Sequence, residues 1–370
     1  MAVAAPARSP EAIPATMKAA VLFGPQDMRV VDKPVPKPEP GEALVQVAMC
    51  GMCGTDLKIY DGEFPLTPPY GQFTPGHEWT GRIVALGDGV DEFAVGDDVA
   101  IEAHHGCGRC DNCVTGKYTA CLNYGNRVKG QRATGMTADG GFAQYAVHHV
   151  GSLYHLPKPL GYKDAVLIMT AGTGLYGLEV AGAYVLGADV AIWGPGPVGL
   201  MTLQAVRELG ANSVILVGTR AGRLEMGRKL GADEIVNAHE TDPVERVMEI
   251  TGGKGVDLAI EASGAVEAPQ QCASVTKRGG KILVVAFYPG PVSLDLSAIV
   301  RGDISIFTSR GEGGNNVKRA VSLARRGRLQ CAPLVTHEFA LGEIGEALRV
   351  MRERIGDPLK IVVVPPAVPA

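Results

Sequence analysis

The sequence lacks the features that would direct it to a membrane or to a nucleic acid. No apolar stretch reaches the roughly 20 residues that a helix needs to cross a bilayer. No run of lysine and arginine forms a basic patch, and the net charge of −4 is small for 370 residues. The first sixteen residues contain no apolar segment typical of a secretion signal. We therefore expect a flexible N-terminal extension over 1–16, a cytoplasmic protein, and a small-molecule partner rather than a nucleic acid or a membrane.

The length and the residue patterns predict two domains, because 370 residues exceed one ordinary core. Residues 17–157 contain short β patterns punctuated by proline and glycine, which is typical of a mostly β, barrel-like domain. Residues 158–300 alternate strand and helix patterns, which predicts an α/β domain with a parallel sheet. The segment 301–370 adds helix, strand, helix and strand patterns.

A glycine-rich turn follows the strand pattern ADVAIW and precedes a helix pattern. It reads Gly194-Pro195-Gly196-Pro197-Val198-Gly199, the GxGxxG spacing of a dinucleotide-binding loop. Gly194 permits the tight turn, Gly196 lets the backbone approach a pyrophosphate, and Gly199 lets helix and strand pack closely. The alternative is an ordinary strand-to-helix turn. We expect residues 194–199 to bind a nicotinamide dinucleotide.

The end of the next strand pattern, SVILV, indicates which dinucleotide is bound. NAD enzymes usually place an acid about 20 residues after the first glycine to bind the ribose hydroxyls. Here Gly218, Thr219 and Arg220 follow the strand, and the first acid is Glu225. A glycine makes room for a 2′-phosphate, and a hydroxyl and a guanidinium bind it. We predict NADP, with NAD beside a solvated arginine as the alternative.

Four of the eight cysteines lie close together in one glycine-rich loop: Cys107, Cys110, Cys113 and Cys121. Four thiolates at this spacing close on one tetrahedral ion, and an all-sulfur site favours zinc. Because such a site has no open position, its role is structural. An iron–sulfur cluster or free thiols are the alternatives. The remaining Cys50, Cys272 and Cys331 are interpreted as small buried residues.

A second, weaker metal signal consists of one cysteine and one histidine. Cys53 follows the strand pattern EALVQVAMC, and His77 comes 24 residues later. A thiolate and an imidazole suit zinc, and a catalytic site adds a third protein ligand and an open position for substrate.

Taken in order, Cys-Gly-Thr-Asp at 53–56, Gly-His-Glu at 76–78, the cysteine loop and GxGxxG resemble the medium-chain, zinc-dependent alcohol dehydrogenases. CGTDLKIYDGEF and IEAHHGCGRCDNC are most similar to the threonine and polyol dehydrogenase branches, and GTR resembles the NADP-using members. The resemblance implies a doubly wound Rossmann domain, a GroES-like catalytic domain to which 301–370 returns, and a homodimer or homotetramer. It implies that Cys53 and His77 bind catalytic zinc, Asp56 orients His77, and Thr55 passes the alcohol proton to solvent.

The third catalytic zinc ligand departs from the family pattern. The family supplies a cysteine, glutamate or aspartate where this chain has Thr170, and a neutral hydroxyl is a poor zinc ligand. Either Glu78 coordinates, or another carboxylate such as Glu102 or Glu179 does, or the site binds zinc weakly. We favour Glu78.

Two further predictions concern substrate and cofactor contacts. His104, and beside it His105, are candidates for lining the substrate site, although a structural role is the alternative. Lys360 lies where the family often has a basic residue near the cofactor phosphates, and a solvated lysine is the alternative. His148 and His149 are interpreted as surface residues.

Together these patterns predict NADP-dependent, reversible oxidation of a secondary alcohol or polyol to a ketone, with zinc as Lewis acid. The alternatives are a zinc-independent NADPH carbonyl or alkene reductase and a non-catalytic NADPH-binding protein.

Overall fold

A computed structural model describes residues 13–367 and divides the chain into two units. Of these residues, the first unit comprises 13–113, 120–166 and 335–367, and the second comprises 114–119 and 167–334. Residues 1–12 of the predicted N-terminal extension lie outside the described residues. Its last residues are tied to the fold, since the carbonyl of Ala15 accepts a hydrogen bond from the Val35 amide at 3.1 Å.

Over residues 13–166 the described chain forms nine strands and three short α-helices, with 3-10 turns at 118–120, 127–129 and 150–152. The elements are β1 (Thr16–Gly24), β2 (Asp27–Pro34), β3 (Glu42–Met52), α1 (Gly54–Tyr60), β4 (Glu78–Leu86), β5 (Asp98–Ile101), β6 (His104–His105), α2 (Asp111–Val114), β7 (Arg132–Ala133), β8 (Tyr145–His149), β9 (Leu153–His155) and α3 (Tyr162–Ala165).

From residue 167 to residue 367, helices and strands alternate, with 3-10 turns at 332–334 and 341–343. The elements of the second unit are α4 (Ile168–Val180), β10 (Asp189–Trp193), α5 (Pro197–Glu208), β11 (Ser213–Gly218), α6 (Ala221–Lys229), β12 (Glu234–Asn237), α7 (Pro243–Ile250), β13 (Val256–Glu261), α8 (Ala268–Val275), β14 (Thr276–Val284), α9 (Leu296–Gly302), β15 (Ser305–Thr308) and α10 (Asn316–Arg325). The chain then returns to the first unit with β16 (Val335–Ala340), α11 (Ile344–Glu353) and β17 (Lys360–Val364).

The first unit is built around a mostly antiparallel sheet of order β16-β17-β3-β4-β5-β9, in which β8 also pairs with β3. Strand β3 is paired on both edges, and it is buried along most of its length because its side chains pack in two apolar clusters. Helix α11 contributes Ile344, Ala347 and Leu348 to the same core, at the spacing of one helical face. This sheet fixes the end of β3 and the start of β4, where the candidate metal ligands lie.

The second unit contains a six-stranded parallel sheet of order β12-β11-β10-β13-β14-β15. Strands with buried, nearly continuous apolar residues, such as VILV in β11, are typical of a parallel sheet covered on both faces. The strand order reverses between β10 and β13, which is the doubly wound Rossmann topology. The predicted fold class is confirmed: a GroES-like, mostly β domain and a Rossmann domain.

The unit boundaries differ from the predicted domains in three places, the first being 114–119, which belongs to the second unit rather than to the β domain. Residues 158–166 belong to the first unit, and 301–334 belong to the second rather than returning to the first. The latter follows from packing, because β15 extends the parallel sheet beside β14 and Val317 of α10 packs against Gly172 of α4. None of the helices between residues 13 and 367 is long and apolar enough to cross a membrane.

Candidate active site and metal centres

The first candidate metal ligand, Cys53, lies between the end of β3 and the start of α1, and Asp56 holds it there. The backbone amide of Cys53 donates to Oδ2 of Asp56 at 2.8 Å, and the Asp56 amide donates to the Cys53 carbonyl at 3.0 Å. Asp56 is fully buried. Its other oxygen, Oδ1, lies 3.2 Å from Nδ1 of His77. One carboxylate therefore positions both residues that the sequence predicts as zinc ligands.

His77 and Glu78 lie where the chain enters β4, and the turn before them fixes their positions. Gly76 precedes them with φ +96°, and a Cβ there would lie 2.8 Å from the Phe142 amide nitrogen and 2.9 Å from Cys50 Sγ. Only glycine fits this turn, which brings His77 and Glu78 beside β3. The candidate ligand atoms of Cys53, His77 and Glu78 all lie within 4.8 Å of one another.

This donor set fits a zinc ion. Asp56 faces Nδ1 of His77, so Nε2 is the ring nitrogen available for coordination, the arrangement that carboxylates usually impose on metal-binding histidines. A thiolate, an imidazole and a carboxylate are the three ligand types that zinc prefers. Burial lowers the pKa of His77, but Asp56 and Cys53 outweigh burial, so this pKa lies well above its usual value. The cluster is thus an electronegative site for a cation.

Glu78 is paired with Lys360, and this pairing corrects the predicted role of Lys360. Lys360 Nζ donates to Oε2 of Glu78 at 2.5 Å and to the Met52 carbonyl at 3.2 Å. Lys360 is 3% exposed. Burial lowers its pKa, but Glu78 and Cys53 raise it more, so the ammonium is favoured. The prediction that Lys360 contacts cofactor phosphates is not supported, because its charge is directed to the metal cluster.

The pairing of Lys360 with Glu78 leads to a prediction about stability. Replacing Lys360 with methionine leaves a buried carboxyl group without its cation, and we expect the free energy of unfolding in urea to fall by about 3–5 kcal/mol. The double variant K360M/E78Q should lose at least about 1 kcal/mol less than the sum of the two single losses.

Lys163 provides a matched control for Lys360. It pairs with Glu338 at 3.5 Å, but the two side chains are 48% and 50% exposed. K163M should therefore change the free energy of unfolding by less than about 0.5 kcal/mol. Strictly additive effects of K360M and E78Q would show that the buried pair carries no coupling energy.

Thr55 lies beside the cluster, with Oγ1 3.9 Å from Cys53 Sγ.

Of the other proposed third ligands, Glu102 Oε2 accepts a hydrogen bond from Tyr154 Oη at 2.8 Å. Glu179 lies in the second unit, where it pairs with Arg319. Thr170 is also in the second unit, buried in α4. Of the alternatives, Glu78 is the carboxylate that the structure brings together with Cys53 and His77.

The four loop cysteines form the second cluster, with all four sulfurs within 4.8 Å of one another. Cys107 Sγ lies 3.9 Å from Cys113 Sγ, and Cys110 Sγ lies 3.8 Å from Cys121 Sγ. A tetrahedral site with Zn–S bonds of about 2.3 Å requires sulfurs about 3.8 Å apart. The spacing in this loop therefore matches a closed zinc site.

Hydrogen bonds to the cysteine sulfurs make this loop suited to binding a metal. Asn123 Nδ2 donates to Cys107 Sγ at 3.2 Å, and the Leu122 amide donates to Cys110 Sγ at 3.4 Å. Hydrogen bonds from the Arg109 backbone and from Asn123 lower the pKa of Cys107 to about 6. Sequence reasoning did not identify Asn123, since an asparagine two residues after the last cysteine carries no distinctive pattern.

Of the four histidines near this loop, two are buried and two are half-buried. The His104 ring is 6% exposed and lies 6.1 Å, centroid to centroid, from Tyr124. The His105 and His149 rings stack at 3.8 Å. His148 is buried with Nε2 2.7 Å from the Glu102 carbonyl, so its interpretation as a surface residue was wrong. Burial does not distinguish the two roles of His104, since His77 and Glu78 are buried too, and its contact with substrate stays a prediction.

The glycine-rich loop of the second unit has the geometry of a dinucleotide-binding turn. Gly194 has φ +103°, and a Cβ on Gly199 would lie 2.0 Å from the Gly194 carbonyl oxygen. A Cβ on Gly196, in contrast, would meet nothing within 4 Å, so this position is open to a ligand. Helix α5 begins at Pro197 and continues through Val198, with Gly196 as its N-cap. Backbone amides at such a terminus bind phosphate.

The structure changes the explanation for Gly218. A Cβ at this position would lie 2.4 Å from Cδ of Pro195 and 2.5 Å from its Cγ. Packing against the glycine-rich loop therefore requires glycine here, whichever cofactor is bound. Thr219 is exposed, Arg220 is half-buried at the N-cap of α6, and these two residues remain as candidates for binding a 2′-phosphate.

Comparisons with known proteins agree with this geometry. Residues 39–158 match the model for the alcohol dehydrogenase GroES-like domain, and residues 197–326 match the model for zinc-binding dehydrogenases. The chain is 32% identical to the sorbitol dehydrogenase of Bacillus subtilis strain 168 over 358 residues, covering 95% of this chain and 98% of that protein.

Two further proteins are similar along nearly their whole length. The L-threonine 3-dehydrogenase of Pyrococcus abyssi is 34% identical over 349 residues, covering 92% of this chain and 96% of that protein. A zinc-binding dehydrogenase from Sinorhizobium meliloti 1021, solved with NADP bound, superposes with a TM-score of 0.86 at 28% identity and covers 95% of this chain and 100% of that one. The chain belongs to the medium-chain, zinc-dependent alcohol dehydrogenase family of oxidoreductases, in the branch of threonine and polyol dehydrogenases.

Proposed function

We propose that this protein oxidises a secondary alcohol or polyol to a ketone, reversibly, with NADP as the hydride acceptor and zinc as the Lewis acid. The observation that carries the proposal is the cluster of Cys53, His77 and Glu78, with Asp56 bridging the first two residues. These residues would hold zinc through one sulfur, one nitrogen and one oxygen, leaving a fourth position for the substrate. Bound zinc lowers the pKa of an alcohol hydroxyl and polarises a carbonyl.

The protein's own residues prepare this chemistry. Asp56 fixes the ring of His77 through Nδ1 and the backbone of Cys53 through Oδ2, so two candidate ligands share one rigid support. The Thr55 hydroxyl, beside Cys53, would take the proton that the alcohol loses and pass it to solvent. Lys360 balances the negative charge of Glu78 within the buried cluster.

The second unit would bind the dinucleotide. The open backbone at Gly196 and the N-terminus of α5 would take the pyrophosphate. Thr219 and Arg220 follow β11 where an NAD enzyme would carry an acid, and they would bind a 2′-phosphate. The Sinorhizobium relative, solved with NADP, supports this choice.

The cofactor choice is tested by replacing Arg220 with alanine. Loss of a charge-assisted hydrogen bond, worth about 1.5–3 kcal/mol, should raise KM for NADP about tenfold or more and leave KM for NAD nearly unchanged. R228A is a matched control on the same helix, since Arg228 pairs with Glu225 on an exposed face. Equal effects of R220A on both cofactors would contradict the assignment.

A second candidate function is NADPH-dependent reduction of a carbonyl or alkene without catalytic zinc. The pairing of Glu78 with Lys360 favours it, because this pairing competes with coordination by Glu78. A carbonyl or alkene reductase of this kind would retain full activity after the labile metal is removed by a chelator, whereas a zinc-dependent dehydrogenase would lose it and regain it with added zinc.

The substrate class is tested by a panel of simple secondary alcohols, vicinal diols, sugar alcohols and amino alcohols, each with NAD and with NADP. We expect the fastest NADP reduction with a vicinal diol or sugar alcohol. Fully metallated protein that reduces neither cofactor with any alcohol, and oxidises NADPH with no ketone, would refute the proposal.

We also propose a cellular location and an oligomeric state for this protein. All eight cysteines are free of disulfides, which suits a reducing, cytoplasmic environment. A homodimer or homotetramer is proposed on the family pattern, and light scattering after size-exclusion chromatography measures it.

A further inference from the structure

A buried glutamate occupies the point where the order of the parallel sheet reverses. Glu261 is the last residue of β13 and is fully buried. In the strand register it lies opposite Trp193 of β10, directly before Gly194 of the glycine-rich loop. Dinucleotides bind at this reversal point, outside the carboxyl ends of the strands. Glu261 therefore lies beneath the surface on which the cofactor is expected to rest.

The carboxyl group of Glu261 organises the turn that follows it. Oε1 accepts hydrogen bonds from the Ser263 amide at 2.7 Å, the Ser263 hydroxyl at 2.5 Å and the Gly264 amide at 3.0 Å. Oε2 accepts from the Tyr288 hydroxyl, which lies beyond β14. One side chain thus ties together the segments that leave β13 and β14.

The same turn is packed against the glycine-rich loop. A Cβ on Gly194 would lie 2.7 Å from both the amide nitrogen and Cα of Ser263. Gly264 has φ +73°, and a Cβ there would lie 2.9 Å from the Phe287 carbonyl oxygen. A shift of the turn at 262–264 would therefore displace the glycine-rich loop on one side and the segment after β14 on the other.

The surroundings of Glu261 show that packing alone does not explain it. Among residues 13–367 no lysine, arginine or histidine forms an ion pair with this carboxyl group, and the neighbouring core includes Trp193, opposite it in the strand register, and the buried Cys272. A carboxyl group in such a core carries a large desolvation cost, which a well-packed apolar side chain would avoid. The groups that donate hydrogen bonds to it belong to the segments after β13 and β14, at the edge where the cofactor is expected.

We infer that Glu261 is a positioning residue for the dinucleotide: it holds the turn at 262–264 and the segment at 285–288 in the conformation that receives the cofactor beside Gly194. This inference rests on the proposed binding of a nicotinamide dinucleotide by the second unit. It assigns to Glu261 an effect on cofactor affinity, without contact with the substrate or the metal cluster.

The test is a titration of the metallated, full-length protein with NADPH, followed by cofactor fluorescence. E261A should raise Kd for NADPH about tenfold, because the turn loses its acceptors. E261Q should stay within about threefold of wild type, since its amide oxygen still accepts the Ser263 and Gly264 amides. Y288F removes one hydrogen bond and should raise Kd by about two- to fivefold.

Two further readouts separate positioning from general damage. Zinc content and KM for the alcohol at saturating cofactor should match wild type in all three variants. Glu42 is a buried glutamate in the first unit, so E42A should lower the melting temperature without changing Kd for NADPH beyond about twofold.

Three outcomes are distinguishable. If E261A and Y288F bind NADPH as wild type does, the inference is overturned, even if their melting temperatures fall. If E261A does not fold, the same titration of Y288F and S263A tests the inference instead. An unchanged Kd for NADPH in both variants overturns the inference. If wild type binds neither NADPH nor NADH, the proposed function fails, and the inference falls with it.

Discussion

Replacing Cys53 with serine is expected to remove one of two zinc ions per chain and to lower kcat/KM by about four orders of magnitude, because a Lewis acid contributes several kcal/mol to such a reaction. Serine offers a neutral hydroxyl instead of a thiolate, and zinc prefers sulfur and nitrogen ligands. The measurements are metal content by mass spectrometry and alcohol oxidation at saturating zinc. The fold should persist, since Cys53 is only partly buried and its neighbours are held by Asp56.

Cys50 provides the matched control for this variant. It lies three residues earlier, on β3, and is fully buried outside the cluster. C50A should keep both zinc ions and most of the activity, although it loses some core packing. A C53S protein that retained two zinc ions and wild-type kcat/KM would contradict the assignment of Cys53 as a ligand.

The second large effect is expected in the cysteine loop. C110S should lose the other zinc ion and reduce the melting temperature by about 10 °C or more, because structural zinc contributes folding free energy directly. The loop from 106 to 131 has little apolar surface to replace it: Leu122 and Val128 are 65% and 97% exposed. Differential scanning calorimetry, metal analysis and limited proteolysis measure the three consequences.

Cys272 serves as the control for the loop variant. It is buried in the apolar core of the second unit, and burial raises its pKa well above the usual value. C272A should therefore retain both zinc ions and lose only packing energy. If C110S kept the wild-type zinc content and melting temperature, the four cysteines would not form a structural zinc site.

Local sequence patterns predicted the parts of this protein that depend on neighbouring residues. The four cysteines are predictable because one short loop contains all of them, and their sulfurs do lie together. The glycines at 194, 196 and 199 are predictable because a strand, a turn and a helix follow one another directly. In both cases sequence spacing and spatial spacing are nearly the same.

Contacts between distant segments were beyond sequence reasoning. Lys360 is separated from Glu78 by 282 positions, and their pairing exists only because β17 and β4 flank β3 in one sheet. Gly218 was interpreted through the cofactor, whereas the ring of Pro195 fills the space that its side chain would need. Residues 301–334 lie in the second unit, whereas the family resemblance implies the first, because a pattern of elements does not reveal which sheet a strand such as β15 joins.

Residues from the ends of two strands, supported by Asp56, are expected to hold a Lewis-acidic metal. Anomalous diffraction at the zinc edge, from crystals of zinc-loaded protein, tests it most directly. We predict two peaks per chain, one among the four loop cysteines and one bound by Cys53 Sγ and His77 Nε2. A single peak at the loop cysteines, with Cys53 and His77 free of metal in an active crystal, would contradict it.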